Sequence, residues 1–89
     1  MKLFAVRDRK ADYFQSPFFA PSKADALRSF QGIANDKDHI IGKFPEDFEL
    51  FELGGWDKQS GRYSEHERLM SLGVAVEFIS ASAPVSVVR

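Results

Sequence analysis

Residues 22–35, SKADALRSFQGIAN, constrain the fold more than any other stretch, because they carry a helical period between segments that do not. Ala24, Leu27, Phe30, Ile33 and Ala34 recur at helical spacing, which collects them into one apolar stripe. Ser22 is an N-cap with Asp25 three residues on, a variant of the capping box, and Asn35 with Asp36, Lys37 and Asp38 stops the helix. A helix with a single stripe buries a single face, so it predicts a sheet beneath it and leaves Lys23 and Arg28 to solvent.

The flanking segments supply that sheet. Leu3–Val6 is a short apolar run with a β-branched residue, and Phe14–Ala20 is an aromatic run; the polar RDRKAD between them predicts a hairpin with a long charged tip. Pro17 lacks a backbone donor and places the second run at an edge or a bulge. Phe48–Leu53 reads as a strand whose acids, Glu49 and Glu52, fall on opposite faces, so clean alternation fails and a central or twisted strand is expected. Gly54 and Gly55 are expected to end or bulge it, Asp57–Gly61 to turn, and Arg62 onward to return antiparallel. Leu72, Val74, Val76 and Phe78 alternate with smaller or polar residues and predict another half-buried strand, and the small apolar residues 80–89 a tail or an arm reaching a partner. The fold class is therefore α+β: one main helix packed on a mainly antiparallel sheet of four to five strands, as hairpin, helix, hairpin and C-terminal strand or arm.

Size and composition limit what such a domain can do. With 89 residues, 44% of them hydrophobic and 28% charged, one domain spanning 1–89 with a small core is expected, and a homodimer would cover further apolar surface. The absence of cysteine removes disulfide, thiolate and cysteine-based metal chemistry. Arg7, Asp8, Arg9 and Lys10 interrupt the N-terminal apolar run, and no stretch approaches a membrane span, so neither export nor a membrane partner is expected. His39 and His66 lack companions at metal-site spacing and are expected to be solvated; the carboxylates of PEDFE suit a strand entrance, and Gly54–Gly55 is a turn rather than a phosphate loop. No metal, cofactor or enzymatic activity is expected.

Charge divides the chain. Residues 1–43 hold eight Lys or Arg against five acids, and residues 44–89 hold four against eight, so the first half alone favours a polyanion. That half also opens with Phe4, Tyr13, Phe14, Phe18 and Phe19 interleaved with Lys2, Arg7, Arg9 and Lys10.

PFFAP, then ADALRSF, then FPEDFELFELGGWDKQSG together resemble the small nonstructural protein of gokushoviruses, single-stranded DNA phages of the Microviridae. The positions carrying the resemblance are Asp8, Pro17, Phe18, Ala26, Arg28, Phe30, Pro45, Glu46, Asp47, Phe48, Leu50, Phe51, Gly54, Trp56, Asp57 and Gly61, spread between Leu3 and Tyr63. Phe44 stands where a histidine is frequent. The resemblance implies a phage early protein in the host bacterial cytoplasm, DNA-binding and concerned with the switch to synthesis and packaging of single-stranded genomes; it assigns no binding residues.

The residues themselves nominate a site. A non-specific single-strand binder needs cations along the phosphates and rings on which bases stack. Arg7, Arg9, Lys10, Tyr13, Phe18 and Phe19, with Lys23 and Arg28 from the helix, are the residue types required. Adjacent strand residues face opposite ways, so one of Phe18 and Phe19, and one of Tyr13 and Phe14, is expected outside, Tyr13 above all. Arg28 is expected to pair with Asp25 or an acid of the Pro-Glu-Asp block. The alternative is a regulator of phage replication or capsid assembly that contacts protein partners through its acidic half and no DNA.

Overall fold

The computed structural model describes residues 1–80. Its five strands are β1 (Lys2–Asp8), β2 (Tyr13–Phe14), β3 (Phe18–Ala20), β4 (Phe48–Asp57) and β5 (Arg62–Val74); its helices are α1 (Lys23–Ala34) and the short α2 (Ile40–Lys43). Two 3-10 turns, Pro45–Asp47 and Ala75–Phe78, follow α2 and β5. All pairings among the described strands are antiparallel and the sheet order is β2-β1-β4-β5, with β3 also on β1. The class is α+β, as the helical period demanded.

The aromatic run after the tip is two strands rather than one. Gln15, Ser16 and Pro17 separate β2 from β3, and Gln15 N–H still donates to the Val6 carbonyl at 2.8 Å. Proline therefore sits in the gap of an edge, where its missing donor costs nothing.

On α1, Ser22 caps as expected: its hydroxyl accepts from the Asp25 amide at 3.2 Å and donates to the Asp25 carboxylate at 2.8 Å. The stripe is turned slightly from the expected one. Ala26, Phe30 and Ala34, one per turn, are buried, Leu27 and Ile33 flank them, and Ala24 is exposed. These side chains cover Phe4, Val6, Phe48 and Leu50 of the sheet, and Ile41 of α2 and Ala75 complete the core.

β4 is central, as expected, yet its burial alternates without a break from Phe48 to Gly55. The broken alternation expected from its acids does not occur, because Glu52 occupies a core-facing position and is buried there. The strand runs on through Gly54 and Gly55 to Asp57, and the glycines mark a bulge rather than an end: Glu52 pairs with Met70 but Gly54 with Glu65, so His66–Leu69 loop out against Leu53 alone. A side chain at Gly54 would stand 2.1 Å from the Ser64 carbonyl oxygen, so β5 can approach only a glycine here. Gly61, at φ +71°, closes the hairpin turn.

The expected strand through Val76 and Phe78 ends at Val74. Glu77 turns back to accept the Val74 amide at 3.0 Å, and Phe78 reaches Phe30 edge-on, with ring centroids 5.8 Å apart. Core contact thus overrides the alternating pattern. Beyond Ser80, the arm expected at 80–89 lies outside the described residues.

Candidate functional site

Register divides the sheet into two faces. Phe4, Val6, Leu50 and Phe48 point toward α1, so Leu3, Ala5 and Arg7 of β1 point away, together with their ladder partners Phe19, Phe51, Glu49 and Phe14. Among the described residues, α1, α2 and the Ala75–Phe78 turn give their buried apolar side chains to the first face. Leu3 and Ala5 are nevertheless buried, at 8% and 1% exposure, and belong to no part of that core. Aromatic neighbours cover them instead.

Those neighbours form a platform. Phe14 meets Phe51 edge-on at 5.4 Å between centroids, and Phe19 leans on Trp56 at 6.1 Å. Tyr63 lies opposite Trp56 across the β4–β5 ladder. Phe19 is 51% exposed, Tyr63 47%, Phe14 41% and Trp56 37%, so each ring seals the strands beneath while presenting part of its surface to solvent. The Arg7 guanidinium lies 6.0 Å from the Phe14 ring centroid and pairs with Asp12. Across from Arg7, Glu49 accepts a hydrogen bond from the Ser71 hydroxyl.

Of the eight residues nominated from the sequence, the structure brings Arg7 and Phe19 together here. Phe18 faces the other way, stacked on Phe4 at 5.7 Å, and lines an apolar cleft of about 350 Å³ beside α1 with Phe30 and Ile33. Tyr13 is 56% exposed, as expected, but it lies opposite Asp8 in the ladder and so on the face of Phe18 rather than Phe19. Arg9 is held by backbone: its amide donates to Asp47 O at 2.7 Å and its guanidinium to Glu46 O at 3.3 Å, fixing the hairpin tip to the Pro45–Asp47 turn. Lys10 borders a second cleft with Ile40 and Phe44. Lys23 and Arg28 ride on α1, a layer away, Lys23 beside the Met70 sulfur and Arg28 at 4.0 Å from Asp25. They do not share a surface with the platform.

The platform residues absent from that nomination are Phe14, Phe51, Trp56 and Tyr63. A signal for the last two was present: a return strand after the Asp57–Gly61 turn sets Trp56 against Tyr63. Phe14 and Phe51 meet only through β1, which sequence proximity does not show.

One polar cluster stands apart. Buried Glu52 receives His66 Nε2 at 2.7 Å and Lys2 Nζ at 3.3 Å on the same oxygen, Oε2, while Oε1 is buried without a partner. Burial pushes this carboxyl upward, but the hydrogen bonds from His66 and Lys2 and their charges outweigh it and hold the group below its ordinary value. His66, expected to be solvated, is thus a structural partner that pins the β5 bulge to β4.

The family described as Phage ORF5 protein matches residues 1–78. Protein ORF5 of Chlamydia phage 1 is 34% identical over 67 residues, which cover 71% of this chain and 70% of that protein. No solved structure matches the chain. The gokushovirus resemblance read from the Pro-Glu-Asp block is borne out by both matches.

Proposed function

Because the chain belongs to the phage ORF5 protein family, we propose that it binds single-stranded DNA by stacking bases on its open sheet face, assisting synthesis and packaging of single-stranded genomes in the host cytoplasm. The observation that carries this reading is the platform itself: partly exposed rings from four strands, on a face to which the described helices contribute nothing. A small antiparallel sheet backed by a helix on one side and offering rings on the other is a general solution for unpaired nucleotides, because every base has a face to stack. Duplex bases are already stacked and are not available to it. No described helix is long and apolar enough to cross a membrane.

Cations play a smaller part than the sequence suggested, since Arg7 stands among carboxylates and the other nominated cations lie elsewhere. Affinity is therefore carried by stacking, about 1–3 kcal/mol per base. The homodimer belongs to the same proposal on grounds of chain size, and sedimentation should then give twice the 10.1 kDa mass of one chain.

The test uses Trp56, the single tryptophan of the chain. Titration with an unlabelled single-stranded oligonucleotide should quench its fluorescence in step with the anisotropy of a labelled one, and a duplex should do neither. Binding by anisotropy with unchanged tryptophan emission would move the site off the platform. No binding at all would favour the regulator that acts through protein partners, for which the excess of acids over residues 44–89 is the supporting feature.

A further inference from the structure

We infer that Asp12 is a built-in competitor for Arg7, a carboxylate that occupies the platform's guanidinium until a phosphate of a stacked strand displaces it. This rests on the stacking reading of the same face. Arg7 makes the one cation–ring contact among the described residues, so it is the cation placed to meet the backbone of a strand whose base lies on Phe14. That guanidinium is already engaged by Asp12.

The hairpin tip is built to deliver this carboxylate. Asp8 accepts the amides of Lys10 at 3.1 Å and Ala11 at 3.0 Å with its side chain, and its carbonyl accepts the Asp12 amide at 2.8 Å. The chain then passes through Asp12 at φ +67°, the one left-handed non-glycine residue among those described, before entering β2. Aspartate tolerates that region better than most residues. The turn thereby carries the Asp12 side chain back over the strand it has just left.

The pair is open enough to exchange. The Asp12 side chain is 79% exposed and that of Arg7 31%, and an ion pair so accessible to water is held weakly. A phosphate offers the same planar fork two oxygens and a fixed charge, the geometry a guanidinium recognises best. With Asp12 seated, and Glu49 across the ladder, the resting platform attracts polyanions little. A phosphate must displace Asp12 to claim Arg7, so the carboxylate weakens contact with any polyanion and leaves the selection of single strands to stacking on the rings.

Asp12→Asn tests this, since asparagine also accepts the left-handed conformation and keeps the turn. Anisotropy with labelled oligothymidylate and a matched duplex, over a series of salt concentrations, is read for wild type, Asp12→Asn, Arg7→Ala and the double variant, with melting temperatures as a fold check. Asp12→Asn should bind the single strand and the duplex several-fold more tightly with little change in salt slope, since the Arg7–phosphate contact is made with or without Asp12, while Arg7→Ala should flatten the slope by about 0.7, the contribution of one phosphate contact on a single strand. In the Arg7→Ala background the same change should gain nothing. An equal gain without Arg7, or unchanged affinity in Asp12→Asn while wild type binds, overturns the competitor. Failure of every variant, wild type included, to bind single strands overturns the stacking reading and the competitor with it.

Discussion

A carboxylate with 2% of its surface exposed needs partners to remain charged, and Glu52 has them on one oxygen only. Removing His66 leaves that charge with Lys2 alone, so His66→Ala should lower the urea unfolding free energy at pH 7 by about 1–3 kcal/mol, the range for a buried polar group stripped of a partner. The pH dependence has a definite sign. The folded-state value of Glu52 lies below the ordinary 4.5, so its contribution is complete above 4.5 and is lost as pH falls through the lower folded value. Wild type should therefore lose stability more steeply than Glu52→Gln over that acid range, and superimposable profiles would show that the pair does not act so. Sequence alternation had set Glu49 and Glu52 on opposite faces, which is correct. It could not show that the inward one finds two hydrogen-bond partners, because Lys2 and His66 are fifty and fourteen residues away.

Elements here are shaped by where they must meet. β5 follows β4 closely at Gly54, bulges over Leu53, and rejoins at Met70. Gly54→Ala places a methyl 2.1 Å from the Ser64 carbonyl oxygen and 2.8 Å from the Glu65 Cα, both backbone, so the strands must part. Circular dichroism melting should show a loss of about 1–3 kcal/mol, the typical cost of forced overpacking, and hydrogen exchange should rise along the distal hairpin that carries Trp56 and Tyr63. Retained protection there would mean that the hairpin tolerates the extra atom. Hairpin and turn were legible because Asp57–Gly61 is local chemistry: the Asp57 carboxyl accepts the Gln59 amide at 3.0 Å, which with the Ser60 contacts holds it below the usual range. By contrast α2 and the turns at Pro45–Asp47 and Ala75–Phe78 are too short to show a period, and their positions are set by what they dock against.

At the scale of the whole molecule, two layers give neighbouring residues different work. Phe18 stacks on Phe4 at the margin of the helix-side core, and Phe19 leans on Trp56 on the opposite face. Phe18→Ala should therefore destabilise by about 3 kcal/mol in urea, while Phe19→Ala should destabilise clearly less and weaken single-strand binding by about 1–3 kcal/mol. The reverse pattern would exchange the two faces. The same layering scatters the nominated cations: Arg9 clamps the tip, and Lys23 and Arg28 lie on the helix layer. By itself the sequence determined the class, the capped helix, the central position of β4, the turn at Gly61 and the opposed faces of Phe18 and Phe19. All of these follow from periodicity, capping and backbone sterics within a few residues. Which of the two faces the helix covers, and so which rings join into a platform, was decided only by tertiary structure. Alternation gives each strand two faces without labelling either, and the label comes from pairing Phe14, Arg7, Glu49 and Val74 across four strands into one surface.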